Sequence, residues 1–160
     1  MSDLAPKLLA LLVSKGVTLG SIESMTAGLF GASFCSVPGA SKVYLGGLIT
    51  YDPQEKIALA HVPSATIEEY GVVSKEVALA MAEGGRKALK VDLAVSVTGN
   101  AGPTTCPGYG EVGDYFIGIV YRNKGYTFYK KGQGQRNEIR AQAVESMMAC
   151  LLQVVNEPAQ

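Results

Sequence analysis

Gly16-Val17-Thr18-Leu19-Gly20-Ser21-Ile22-Glu23-Ser24-Met25-Thr26-Ala27-Gly28-Leu29 is the stretch whose reading decides the fold. Val17, Leu19 and Ile22 are the apolar positions of a strand over about 17–23. A polar turn follows, and a helix begins at Thr26, whose hydroxyl is placed to cap it. Ala27, Gly28 and Gly31 are small, so a ligand or a neighbouring strand can approach the backbone. A polar run at a helix N-terminus suits an anion, because unpaired N–H groups point outward there. The same residues also fit an ordinary capped strand–helix turn.

Outward from this stretch, strands and helices mix along the whole chain. A first helix is expected over residues 3–15, with Leu4, Leu8, Leu11 and Leu12 at helical spacing and Gly16 as its stop. The helix from Thr26 stops before Pro38-Gly39. Residues 43–51 are rich in strand formers. Asp52-Pro53-Gln54-Glu55 then reads as a helix start, with Asp52 as cap, Pro53 in the first position and Glu55 as the capping-box acid. A short helix is expected over Ser64–Tyr70 and a longer one after its cap Ser74, with Val77, Ala78, Met81 and Ala82 facing inward. Residues 92–98 form a nearly continuous apolar run, as in the covered centre of a sheet. Segment 104–113 is loop, and 114–122 and 126–131 are aromatic-rich strands joined by a turn at Asn123-Lys124-Gly125. A final helix covers about 136–155. These elements predict an α/β protein, one three-layer α/β/α sandwich over residues 1–160 with a mixed sheet, since the closing hairpin excludes an entirely parallel one.

Composition narrows the function classes. Of the 160 residues 48% are hydrophobic and 18% charged, enough to bury a core and against disorder. The formal net charge of zero gives no global field for nucleic acid or an acidic membrane. There is no membrane-length apolar run and no charged-then-apolar leader, so a soluble, cytoplasmic protein is expected. Cys35, Cys106 and Cys150 have no paired spacing and read as free thiols. The one histidine, His61, excludes a multi-histidine metal site and leaves little room for a Ser-His-Asp triad. It reads as a helix-end residue.

With so little histidine, a hydroxyl nucleophile needs another base. Lys56 falls in the first turn of its helix, the end a lysine usually avoids. It reads either as a solvated lysine or as an amine held beside a polar site with its pKa pushed down. Three polar segments supply partners: Glu23-Ser24-Met25-Thr26, Pro38-Gly39-Ala40-Ser41 and Thr98-Gly99-Asn100-Ala101-Gly102, the last at a strand end where α/β sheets collect ligands. A glycine-rich turn offers backbone N–H groups to an oxyanion or a phosphate. Such ingredients suit hydrolysis of an amide on an anionic substrate. Cys106 is a further nucleophile candidate, without an evident base.

Six motifs in order resemble one family. Glu23-Ser24-Met25-Thr26-Ala27-Gly28 resembles the Glu-Ser-Cys-Thr-Gly-Gly signature of the CinA C-terminal domain family, which includes bacterial nicotinamide mononucleotide amidases. Pro38-Gly39-Ala40-Ser41 resembles its Gly-Ser-Ser turn, and Tyr51-Asp52-Pro53-Gln54-Glu55-Lys56 its Tyr-Ser-Asn-Glu-Ala-Lys. Gly71-Val72-Val73-Ser74 resembles Gly-Ala-Val-Ser, Thr98-Gly99-Asn100-Ala101-Gly102-Pro103 resembles Thr-Gly-Ile-Ala-Gly-Pro, and Gly134-Gln135-Arg136 with Arg140 resembles Gly-Asp-Arg and its following Arg.

The resemblance implies an oligomeric α/β sandwich that hydrolyses the carboxamide of nicotinamide mononucleotide to nicotinate mononucleotide and ammonia, without metal or organic cofactor. Carried onto this sequence, it makes Ser41 the first choice of nucleophile and Ser24 the second, with Ser24 otherwise binding substrate or orienting Lys56. Lys56 is then the base and Tyr51 assists proton transfer. Thr26, Thr98, Gly99 and Gly102 hold substrate or oxyanion, and Arg136 and Arg140 take the 5′-phosphate. The departures are Met25 for Cys, Ala27 for Gly, Asp52-Pro53 for Ser-Asn, Asn100 for an apolar residue, and a different loop over 104–113. They keep open a second expectation: a catalytically altered CinA-like domain that binds a nucleotide or a protein partner.

Overall fold

A computed structural model describes residues 2–158. The chain runs α1 (Leu4–Lys15), β1 (Leu19–Glu23), α2 (Leu29–Cys35), a 3₁₀ turn (Ala40–Lys42), β2 (Tyr44–Ile49), α3 (Pro53–Ala60), α4 (Ser64–Tyr70), α5 (Lys75–Leu89), β3 (Leu93–Gly99), β4 (Asp114–Tyr121), β5 (Lys124–Lys131) and α6 (Arg136–Val155). The sheet order is β2-β1-β3-β4-β5. Strand β1 is parallel to β2 and to β3, whereas β4 and β5 fold back antiparallel, so the sheet is mixed as the hairpin required.

Alternation along β1 separates the two faces. Leu19 joins Leu8, Leu12, Phe30, Phe34, Met147 and Leu151, drawn from α1, α2 and α6. Ile22 joins Ala60, Val77 and Met81 from α3 and α5. Two helical layers therefore cover the sheet, and the central β3 is buried on both faces. Each fully buried large apolar side chain contributes about 1.5–3 kcal/mol, which makes these two clusters the main stabilising term. Helix α5 lies close on the sheet because small residues meet there: a Cβ on Gly118 would strike the Ala78 carbonyl, and one on Gly85 would strike Ile22. The Ser96 hydroxyl donates to that same Ala78 carbonyl.

Local signals placed most element ends. Gly16 stops α1 in a left-handed conformation. The Asp52 carboxylate accepts from the Gln54 N–H at 2.9 Å, with Pro53 in the first helical position. Ser74 accepts from the Val77 N–H and caps α5. His61 ends α3 in a left-handed conformation, the helix-end position expected of it.

Two local expectations need correction. Helix α2 begins at Leu29 rather than Thr26, because Ala27 and Gly28 adopt φ values of 47° and 97° that no right-handed helix accepts. Thr26 does not cap it; its hydroxyl donates to Glu23 Oε1 at 2.7 Å. The Glu23 carboxylate takes the capping role, accepting from the N–H groups of Phe30 and Gly31 at the start of α2. The β4–β5 turn is Arg122-Asn123 rather than 123–125, since pairing extends to Tyr121 and Lys124. Gly125 is paired with Val120, and it gives room to Leu79 of α5 instead of forming the turn.

Candidate active site

The C-terminal ends of β1 and β3, the chain leaving β2, and the start of α6 converge on a pocket of about 330 Å³. Ser24, Tyr51, Lys56, Thr98, Gly99 and Arg136 all line it, together with Met25, Asn100 and residues 104–107. Such a position, beyond the carboxyl ends of parallel strands, is where open α/β sheets bind ligands.

Lys56 is the centre of the pocket's chemistry. The Asp52 cap starts α3 so that Lys56, in its first turn, turns back under the end of β1. Its side chain is 2% exposed. The Nζ donates to the Thr50 carbonyl at 2.8 Å, to the Tyr51 carbonyl at 3.4 Å and to Ser24 Oγ at 2.9 Å. Two of these partners are carbonyls and can only accept. A neutral amine has two N–H bonds and one lone pair. With both N–H bonds spent on the carbonyls, its lone pair faces the Ser24 hydroxyl. Burial pushes the Lys56 pKa down to about 8, outweighing nearby Cys106 and Asp52, which act to raise it. The solvated alternative for Lys56 is thereby excluded.

Ser41 is not brought to this site. It lies exposed in the 3₁₀ turn before β2, whereas Lys56 follows the other end of that strand. Six residues of strand separate the two by about 20 Å. Ser24 is the serine that meets Lys56.

The other expected residues divide. The Thr98 hydroxyl donates to the Val72 carbonyl at 2.7 Å, tying β3 to the chain before α5. Gly99 allows close approach: a Cβ there would collide with Met25 Sδ and with Tyr115. The Tyr51 hydroxyl contacts Arg136 Nη2, which donates to it at 2.9 Å, and not Lys56; only the Tyr51 carbonyl touches the amine. Arg136 Nη1 also donates to the Gly102 carbonyl at 2.6 Å. Gly102 itself lines a neighbouring hollow, and Arg136 borders both spaces. Thr26 is fully buried against Glu23 and lines neither. Arg140 has its donors on the protein: Nε to the Met25 carbonyl, Nη2 to the Thr26 carbonyl and Nη1 to Asn137 Oδ1. It clamps the turn after Ser24 and lies off the pocket wall.

Two residues gain roles that their sequence motifs did not reveal. Glu23 sits in the signature hexapeptide, yet only the fold shows its carboxylate capping α2. An acid at a strand end, a few residues before a helix, is the signal that marks it. Asn100 is 3% exposed and holds segment 104–113. Among the described residues no helix is long and apolar enough to cross a membrane.

The model of the CinA C-terminal domain matches residues 1–155. The chain belongs to the CinA C-terminal domain family. A "CinA-like protein" of Leptospira borgpetersenii is 41% identical over 122 residues, 76% of this chain and 29% of the relative. The CinA domain described here spans between 29% and 36% of the length of the first curated relatives it matches. Among solved structures, a competence/damage inducible protein from Agrobacterium tumefaciens superposes with TM-score 0.91 at 28% identity, covering 97% of this chain and 94% of that one. A CinA superfamily protein from Escherichia coli gives 0.92 at 27% identity, covering 95% and 88%. The CinA fold is thus the α/β arrangement expected from the order of strands and helices along the chain.

Proposed function

We propose that this CinA domain is a serine/lysine amidohydrolase acting on the carboxamide of nicotinamide mononucleotide. The observation that carries the proposal is the Lys56–Ser24 contact at 2.9 Å, inside a pocket, with the amine's other contacts being carbonyls. Ser24 Oγ attacks the carboxamide carbon while Lys56 Nζ takes its proton. The tetrahedral oxyanion needs backbone donors. The Met25 N–H, next in the chain after Ser24, has no partner among the described residues and is the donor assigned to it. Collapse breaks the C–N bond, and Lys56 returns the proton so that ammonia leaves. Water then attacks the Ser24 ester, giving up a proton through Lys56 to Ser24 Oγ. The products are nicotinate mononucleotide and ammonia.

Arg136 borders the pocket with its guanidinium on two neutral acceptors and no carboxylate, so it is the residue assigned to the 5′-phosphate. Arg140 is not assigned to it, because it lies off the pocket wall with Nε and both Nη atoms donating to the Met25–Thr26 turn and Asn137. The test is release of ammonia and nicotinate mononucleotide from nicotinamide mononucleotide, with nicotinamide riboside in parallel. Turnover of the mononucleotide is expected. Arg136→Ala should raise its KM about 10- to 100-fold, the worth of a lost charge-assisted contact, and leave the riboside unchanged. A riboside hydrolysed as well as the mononucleotide by wild type would remove the phosphate assignment.

One observation favours the second reading, a binding domain without turnover: segment 104–113 departs from the family and supplies part of the pocket wall. Mononucleotide that binds and is recovered unhydrolysed would establish that reading.

A further inference from the structure

Asn100 stands where the resembling motif carries an apolar residue, directly beyond β3. It is 3% exposed, so every polar atom on it needs a partner. Its Nδ2 donates to the Tyr109 carbonyl at 2.7 Å and to the Glu111 carbonyl at 3.4 Å. Its Oδ1 accepts from the Cys106 N–H at 3.0 Å. Its main chain closes the base of the loop: the Asn100 N–H donates to the Asp114 carbonyl, and the Asn100 carbonyl accepts from the Gly113 N–H. One residue thus ties the loop at five places. The side chain has two donors and one acceptor site, and the loop presents two carbonyls and one N–H to it. Neither Asp nor Leu has that complement.

What the loop builds is part of the pocket. Thr104, Thr105, Cys106 and Pro107 line the space that holds Ser24 and Lys56. Near the end of the loop Lys131 Nζ bridges Glu111 Oε2 at 3.0 Å and Asp114 Oδ1 at 3.1 Å, and the Glu111 pair is exposed on both sides. Exposed pairs of this kind contribute little.

We propose that Asn100 is a positioning residue that folds segment 104–113 into a wall of the Ser24–Lys56 pocket and thereby sets which substrate fits. The kinetic part rests on the amidase reading; the structural part does not. Asn100 borders the pocket, but its side-chain polar atoms are spent on the loop, so its loss should weaken substrate fit and spare the dyad.

Hydrogen exchange resolved at single amides, with kinetics on nicotinamide mononucleotide, tests this in Asn100→Leu, Asn100→Asp and Lys131→Ala. Asn100→Leu removes the acceptor of the Cys106 N–H, and that amide should exchange about tenfold faster or more. Asn100→Asp keeps an oxygen there, so the Cys106 amide should stay protected even if the leucine variant folds poorly. Gly113, bonded to the Asn100 main chain, should stay protected in both. KM should rise about tenfold in Asn100→Leu with kcat within about threefold. Lys131→Ala should leave the Cys106 amide protected and KM unchanged, because it removes none of the Asn100 contacts.

Unchanged Cys106 exchange in Asn100→Leu would overturn the anchoring role. A released loop with unchanged KM would overturn the wall role, and a lowered kcat would make Asn100 part of the dyad's own support. Should wild type not turn over the mononucleotide, the amidase reading falls. The exchange measurement and the mononucleotide's dissociation constant for the three variants then decide the anchoring and wall roles.

Discussion

Glu23 and Lys56 are both 2% exposed, and they lie one residue apart through Ser24 at the end of β1. Their surroundings are built in opposite ways. The Glu23 carboxylate is saturated by donors: Thr26 Oγ1 and the Phe30 N–H on Oε1, the Gly31 N–H and Ser21 Oγ on Oε2. Its charge is spread over these four groups, and it serves as a rivet between β1 and α2. Lys56 has two neutral carbonyls and a serine, and no carboxylate within ion-pairing distance among the described residues. These neutral partners repay only part of the desolvation of an ammonium, so its proton is lost more readily than a solvated lysine's, and the released lone pair points at a hydroxyl. A buried charge that is fully satisfied is scaffold. A buried amine that is under-satisfied and beside a serine hydroxyl is the one for which chemistry is proposed.

The contrast breaks most sharply on substitution. Lys56→Ala should lower amide turnover by about 10³-fold or more while leaving a folded protein, checked by circular dichroism and ammonia release. Glu23→Ala should do the reverse. It leaves two backbone N–H groups and the Thr26 hydroxyl unpaired in the interior, at a cost of about 3–5 kcal/mol, so calorimetry should find the melting temperature lower by about 10 °C or more. Equal loss of stability in both variants would erase the distinction.

The pH dependence sharpens it further. With Lys56 at about 8, the neutral fraction should carry kcat/KM up about tenfold between about pH 7 and about pH 9. The sign for stability is fixed too. Between about 8 and the ordinary lysine value of 10.5 the unfolded chain binds a proton that the folded one lacks, so stability rises with pH across that window. Lys56→Met should flatten this slope in denaturant titrations, whereas Glu23→Gln should leave it in place.

The smallest effect lies on the scaffold side. Ala27 is held at φ 47° in the turn that Glu23 pins, a conformation costing a non-glycine residue about 1–2 kcal/mol. Ala27→Gly should therefore raise the melting temperature by about 2–4 °C without changing turnover. A drop would mean that the turn is not strained.

Much of this was legible in the sequence because it rests on local chemistry. Gly16, Asp52-Pro53 and Ser74 end or start helices by rules that need only neighbouring residues, and the apolar run 92–98 already read as the covered centre of a sheet. Lys56 was legible as an oddity at the wrong end of a helix dipole. What failed was the reach across strands. Ser41 and Lys56 bracket β2 in sequence, but a strand carries its two ends apart, so nearness in the chain became distance in space. Ser24, 32 residues from Lys56, is the residue in contact. Arg140 carried a phosphate-binding type, yet carbonyls of the Met25–Thr26 turn take its Nε and Nη2, which no spacing reveals. Asn100 looked like a departure from a motif, and the three loop contacts of its side chain appear only once the loop is folded.

The most direct measurement is ammonia release from nicotinamide mononucleotide by wild type, Ser24→Ala and Ser41→Ala, compared side by side at matched folded fraction. Ser41→Ala should keep turnover within about twofold, as expected for an exposed residue outside the site. Ser24→Ala should lose about 10³-fold or more. Full turnover in Ser24→Ala, or its loss in Ser41→Ala alone, would contradict the Ser24–Lys56 assignment.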